Sequence, residues 1–419
     1  MDHYFRSSFL PPFLAVAMML LFCGLLPAEV LYVVNSQSRT LSRIDTITEA
    51  INNNYSTLGN VPNKIVVDNA HIWAINSGDN AVQKISPVSG ETLATILVAP
   101  GSNPWDAVKH GDFLYVSGLF SGKVYKVDTL SGSVVASVNV GIAPEGMQVL
   151  ENRLYVCNAG DYADNYAGSS VSVIDLDSFS VITTIPVSAN PQYIKSCNGL
   201  LHVSCTGNWS DVAGKIMIID PEINAVIHTI NLGGTPGCLW VANDDVAYVG
   251  DSNGAYLFSY NPIDFSVLHG VNNPLANGGS EVVGNAGLIA VLSPNWGANG
   301  TVKLLHPDLT PWKQFTVAMM PTDVKLGYAA SANADENVPA AAVVAYPNPV
   351  LPGQKLQFSS PKTLQGRVDI YNLKGQKVLS KPVDGQDSSI ATGQLAAGIY
   401  FYRLVGVGMN HTGKFVVAR

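Results

Sequence analysis

Beyond residue 30 the chain alternates apolar and polar positions in short runs, each bounded by Gly, Asn, Asp or Ser, and this texture holds to about residue 328. A period of two puts successive side chains on opposite faces of an extended backbone, so the pattern predicts half-buried strands joined by tight turns. Helical periodicity is almost absent after residue 30.

The runs recur in phase. Seven segments share one form: LYVVN at 31, IWAIN at 72, LYVSG at 114, LYVCN at 154, LHVSC at 201, AYVGD at 247 and IAVLS at 289. Their second positions, Tyr32, Trp73, Tyr115, Tyr155, His202, Tyr248 and Ala290, lie 41, 42, 40, 47, 46 and 42 residues apart. Pro62, Pro104, Pro144 and Pro191 each precede the aromatic slot by 11 residues, Pro236 precedes it by 12, and Gly279 takes this place in the sixth interval. Each opens an apolar run, and proline at the first residue of a strand removes no ladder hydrogen bond from the strand interior. Two further strands follow each slot, as in GKVYKVD and SVVASVNVG.

Four strands repeated every forty-odd residues predict a β-propeller. The first unit has no Pro-led strand ahead of it, while MMPTDVKLG at 319–327 is such a strand with no unit behind it. The expected fold is therefore all-β: seven four-stranded blades over residues 29–328, with the C-terminal strand closing the ring and leaving no exposed edge.

Three other segments flank this body. Residues 1–28 place Arg6 ahead of an apolar run from Phe13 to Leu26 that ends in small residues near Ala28, which predicts a cleaved secretory signal peptide. Phe22 precedes Cys23 where a lipoprotein signal wants a small residue, so a lipid anchor is not expected and the mature chain should carry no transmembrane segment. Residues 329–342, including SANADENVPAAA, read as a linker open to cleavage. Residues 343–419 hold strands outside the blade phase, with turns at 372–375 and 396–398, and predict a small immunoglobulin-like β-sandwich.

Charge separates the body from the tail. Residues 29–342 carry 13 Lys/Arg against 27 Asp/Glu, net −14, and residues 343–419 carry 9 against 3, net +6. An acidic body argues against nucleic acid as the natural ligand, because that binding begins with phosphate neutralisation. Cys157, Cys197, Cys205 and Cys238 remain after signal removal in a compartment that permits disulfides; three pairings are open, as is the reading of four small buried hydrophobes.

In a propeller, the loops before the innermost strands and after the second strands share one face around the central channel. The two positions after each Pro, or its equivalent, give a ring: Asn63 and Lys64, Trp105 and Asp106, Glu145 and Gly146, Gln192 and Tyr193, Gly237 and Cys238, Ser280 and Glu281, Thr322 and Asp323. Asp106, Glu145, Glu281 and Asp323 are expected to converge on Lys64 alone, as solvated loop-tip carboxylates or as a site for Ca2+ or for a basic or polyhydroxylated ligand. The second set of loops carries Tyr162, Tyr166, Trp209 and Trp296 among Asn, Asp and Gly. Rings beside amides and carboxylates suit a glycan or peptide, since the ring stacks while the polar groups orient. Catalytic motifs are scarce: no histidine belongs to a metal-binding cluster, and no serine sits on a strand-turn-helix elbow.

The order of the blade segments resembles the YVTN-type propellers, whose relatives include lactonase-like enzymes; that likeness leaves a hydrolase using channel carboxylates and a divalent metal as the alternative to a protein that binds a glycan, peptide or protein ligand at its loop face. In the tail, YPNP (Tyr346, Pro347, Asn348, Pro349), VDIYNLKGQKV, LAAGIYFYRL with Gly398 and Tyr400, and TGKFVV with Lys414 resemble the type A C-terminal sorting domain of the type IX secretion system found in Bacteroidota. The resemblance implies export through the periplasm, recognition by the outer-membrane translocon, and display on or release from the cell surface.

Overall fold

The computed structural model describes residues 29–242, 245–285, 287–328, 344–348, 350–351, 353–372, 376–406 and 409–418. The expected signal peptide and linker lie outside the described residues, as does Pro349. The chain divides into two units, residues 1–331 and 332–419.

The first unit contains seven four-stranded antiparallel sheets. Blade 2 is Pro62–Val67, Ile72–Asn76, Ala81–Ile85 and Thr92–Leu97. Blade 3 is Pro104–His110, Phe113–Gly118, Lys123–Asp128 and Ser133–Asn139. Blade 4 is Pro144–Leu150, Arg153–Asn158, Ser170–Asp175 and Ser180–Pro186. Blades 5, 6 and 7 open with Pro191–Cys197, Pro236–Val241 and Glu281–Gly284. Blade 1 is assembled from both ends of the unit: Pro321–Tyr328 pairs antiparallel with Glu29–Asn35, beyond which lie Thr40–Asp45 and Ala50–Thr57. The first strand of each blade packs against the first strand of the next, and the series closes from Pro321–Tyr328 back to Pro62–Val67. This is a seven-bladed ring shut by its last strand.

The core is seven separate inter-blade layers. Tyr32 packs with Ile65 and Ile72 of blade 2, Trp73 with Leu114 and Val116 of blade 3, and Tyr115 with Met147 and Leu154 of blade 4. Leu31 and Val33, one residue to either side of Tyr32, pack instead with Leu292 and Val302 of blade 7. The alternation LYV thus sends its aromatic residue to the following blade and its aliphatic neighbours to the preceding one. His202 fills the same slot in blade 5; it is fully buried, its Nδ1 is 2.8 Å from Tyr260 Oη, and burial lowers its pKa to about 4.

The recurring polar residues hold the turns. Asp45, Asp128, Asp175 and Asp220 each accept backbone N–H groups two or three residues ahead, shaping the turn from third to fourth strand. Asn35, Asn76 and Asn158, at the ends of second strands, donate from their buried amides to Ser42, Gln83 and Ser172 of the adjacent third strands.

The tail is a five-stranded network. Val344–Tyr346 pairs with the start of the long strand Lys355–Tyr371, which pairs along its length with Lys377–Ala391 and near its end with Gly398–Gly406; Met409–Val417 completes the set. Leu356 and Phe358 from one half of the long strand share a core with Val368 and Ile370 from the other, and with Tyr400, Leu404 and Phe415. None of the four cysteines forms a disulfide; Cys157, Cys205 and Cys238 are buried.

Candidate functional site

The ring of positions after each proline has a structural cause that sequence reading did not supply. In blades 2 to 6 the pairing register shifts immediately after the proline: between Pro62 and Lys64, Pro104 and Ala107, Pro144 and Met147, Pro191 and Tyr193, and Pro236 and Leu239. Blade 1 skips Thr322 in the same way. The extra residue of a β-bulge bends the strand and re-aims its side chains. Trp105, Asp106, Glu145 and Gln192 are such bulge residues, held at the channel by the strand itself rather than at solvated loop tips. Glu145 is correspondingly buried, and so are Asp323, next to the skipped Thr322, and Glu281 of blade 7, where the register does not shift.

The carboxylates do not converge on Lys64 alone, because Lys325 provides a second ammonium. Lys64 Nζ lies 2.6 Å from Glu281 Oε1 and 3.8 Å from Asp323 Oδ1, while Lys325 Nζ lies 2.6 Å from Asp323 Oδ1. Burial opposes the charge on Lys64, but Glu281, with Tyr193 and Asp323, more than offsets it and holds the ammonium protonated well above its ordinary range. Burial likewise opposes ionisation of Glu281, and Lys64 and Lys325 reverse the effect, so its pKa lies below the usual value. Asp323 also accepts the backbone N–H of Ile65 at 2.9 Å, tying the closing strand to blade 2. Lys325 was legible in the sequence: it lies two residues after Asp323 on the same strand, hence on the same face.

Tyr193 completes a plug. Its hydroxyl donates to Glu281 Oε1 at 2.7 Å and accepts from Lys64 Nζ at 3.1 Å. Lys64, Tyr193 and Glu281 line two cavities, one above and one below them along the channel. The upper one, about 230 Å³, gathers Trp105, Glu145, Gln192, Tyr193, Trp209, Glu281 and Trp296 at the loop face. The lower one, about 420 Å³, is lined by Asp106 and Lys325. Asp323 lines neither. Seven of the nine ligand-binding residues expected from sequence therefore meet at one mouth, and Asp106 and Asp323 do not.

Two carboxylic acids near the mouth differ from Glu281. Burial raises Glu145 to about 8; Lys64 works against this and Asp106 adds to it, while the side chains of Trp105 and Gln192 hydrogen-bond the carboxyl. Asp106 is also raised by burial, with Lys64 and Lys325 opposing. Among the described residues no three His, Cys, Asp or Glu side chains are grouped to hold a metal ion. The expectation of Ca2+ at the mouth meets a donor set in which Glu281 is already paired with Lys64 and burial raises the pKa of Glu145 to about 8.

The rim is preorganised. Trp209 has φ 63° and donates its indole N–H to Tyr166 Oη at 2.9 Å. Asn208 Oδ1 accepts from the N–H groups of Ser210 and Val212, and its amide donates to Asp211, fixing the loop that carries the ring. Trp209 is 44% exposed and Trp296 73% exposed.

In the tail, Asn348 Oδ1 accepts the N–H of Val416 at 2.9 Å and its amide donates to the carbonyl of Lys414 at 3.4 Å. Tyr346 lies in the strand Val344–Tyr346, and Pro347 and the Lys414 side chain are exposed. Tyr400 is buried, stacks on Phe415 at 5.6 Å and donates to the carbonyl of Ala396 at 2.9 Å; Gly398 opens its strand opposite Val417. The motif elements are thus parts of one folded unit, stitched from both ends of the tail.

The chain is similar to the structure of apo AztD from Citrobacter koseri at 13% identity and TM-score 0.49, over 72% of this chain and 98% of that one. It is also similar to the computationally designed Ika8 protein at 9% identity and TM-score 0.48, over 79% of this chain and 96% of that one. The search of curated proteins finds no match. Among the described residues no helix is long and apolar enough to cross a membrane. Residues 344–418 match the model of the secretion system C-terminal sorting domain. The tail belongs to that family, and the protein is exported by the type IX secretion system to the cell surface or beyond.

Proposed function

We propose that the propeller is a binding protein that takes a carbohydrate at the channel mouth on its loop face. The observation that carries this reading is the cavity walled by Trp105, Trp209 and Trp296 and floored by the Lys64–Tyr193–Glu281 plug. Indole faces stack on the apolar faces of sugar rings, and the adjacent Gln192, Tyr193 and Ser280 offer donors and acceptors for hydroxyls. The fixed Trp209 loop lowers the ordering cost of binding. The leader and linker are read as signal peptide and cleavage segment, and the long bent strand of the tail as folding its sheet into an immunoglobulin-like sandwich.

Titration of the mature chain with neutral disaccharides, followed by calorimetry and tryptophan quenching, tests the reading. Binding that weakens at least tenfold in W209A and W296A supports it. Heat signals that both variants leave unchanged, or no binding at all, would sink it.

A second reading rests on Glu145 and Asp106, two buried carboxyl groups on neighbouring bulges of blades 4 and 3 that both reach the channel, a pairing suited to general acid–base opening of a lactone. It requires no metal. Turnover of lactone substrates that disappears in the E145Q/D106N double variant would favour it over binding alone.

A further inference from the structure

A second cavity on the same face, in the cleft between blades 3 and 4, has no role in the reading above. It has a volume of about 720 Å³ and is lined by Phe120, Ile142, Glu145, Tyr162, Asn190 and Gln192, among others. We propose that this cleft is an extension subsite that holds the outer units of a neutral oligosaccharide whose first units occupy the mouth. The proposal rests on the carbohydrate reading of the mouth and goes beyond it in naming a chain ligand and its path.

Continuity is the first argument. Glu145 and Gln192 line both cavities, so a chain leaving the mouth enters the cleft across these two side chains.

The second is an unmet polar group. Asn190 is 1% exposed, and neither its side-chain oxygen nor its nitrogen has a partner. Its backbone is committed, with the N–H donating to Ser169 Oγ at 3.0 Å and the carbonyl accepting from Thr206 N–H at 2.8 Å. A buried amide left open in this way costs stability unless something pairs with it. Both amide atoms are sealed from solvent, so hydroxyls in the cleft can pair with them only once the Asn190 side chain turns toward the cavity.

The rim is the third. Phe120 and Tyr162 are 73% and 77% exposed, and they come from the loops after the second strands of blades 3 and 4. Ile142, from the connection between the blades, stands exposed with them. Sugar rings stack on such platforms.

Charge selects the class. Among the described residues lining the cleft there is no Lys or Arg, while Asp161 lies at its edge. Polyanionic chains are repelled, and the buried carboxyl of Glu145 serves as a neutral donor. An uncharged polyhydroxylated chain fits all three arguments.

The test uses the mature full-length chain and three series of neutral oligomers, β-1,4-linked glucose, β-1,4-linked N-acetylglucosamine and α-linked mannose, each of two to six units. The proposal expects the affinity for the recognised series to rise at least tenfold from dimer to hexamer. It expects the F120S/Y162S variant, altered only at exposed positions, to bind the hexamer no better than the dimer while binding the dimer as wild type does. W296A should weaken dimer and hexamer alike. Dimer binding that depends on Trp296 with no gain from chain length overturns the extension subsite and leaves the mouth reading standing. No binding in any series, or binding of aromatic peptides in place of sugars, overturns both.

Discussion

Lys64 Nζ and Glu281 Oε1 are 2.6 Å apart although 217 residues separate them in the chain, so one ion pair joins the inner strands of blades 2 and 7 across the closing strand. Both side chains are nearly buried, at 11% and 3% exposure. Removing one partner from such a pair strands the other in a poorly solvated site. Lys64→Met should therefore destabilise the propeller by about 3–5 kcal/mol in denaturant unfolding, and the K64M/E281L double variant should recover most of the loss. Equal loss in the single and double variants would show that the two charges do not act as a unit.

Glu145 gives the propeller a pH signature. Its pKa in the fold, about 8, lies above its ordinary value of 4.5. The native state therefore holds a proton that the unfolded chain releases between these values. The stability associated with this group is fully present below the ordinary carboxylate range, and it is lost as pH rises through about 8. Glu145→Gln keeps the neutral shape without the titration. The melting temperature of E145Q should exceed that of the wild type by a margin that widens from pH 5 to pH 9. A margin independent of pH would contradict the assignment.

Gly146 follows Glu145 in the same bulge, and a Cβ there would collide with the carbonyl oxygen of Gln192 in blade 5. Two backbones approach here more closely than any side chain permits. Gly146→Ala should cost about 1–3 kcal/mol through forced displacement of the inner strands, read as a lowered denaturation midpoint. It should also weaken ligand binding at the mouth, since Gln192 moves with its carbonyl.

Asn348 joins the opening YPNP segment of the tail to its final strand by two hydrogen bonds. Asn348→Ala should destabilise the tail by about 0.5–1.5 kcal/mol and reduce surface delivery, measured by protease accessibility on intact cells. Deleting residues 343–419 should leave the protein in the periplasm. Normal surface display of the truncated chain would refute the dependence.

The propeller was legible in the sequence because its signals repeat. One LYVxN segment predicts little, but seven in phase, five of them behind a proline at a fixed distance, fix blade number, strand order and the unpaired strand that closes the ring. The site was legible in part. Proline phase located the ring of residues, yet the bulge that turns them toward the channel is a register shift, which depends on the partner strand and leaves no local mark. Burial of Glu145, Glu281 and Asp323 was missed because acidic residues at the start of a strand look like loop tips until seven strands are drawn together. Phe120, Ile142 and Asn190 come from three loops that only the ring makes neighbours.

Blade 1 takes its inner strand from Pro321–Tyr328, the last part of the propeller to be made, and the sorting domain follows it in the chain. Synthesis therefore produces the means of sealing the ring before it produces the address for export. A chain ended early anywhere within the propeller has an open sheet edge and no address, whereas every chain that carries a complete address already holds the strand that seals it. The order of segments thus works as a checkpoint on length: only a chain able to finish its fold can be recognised for release from the cell.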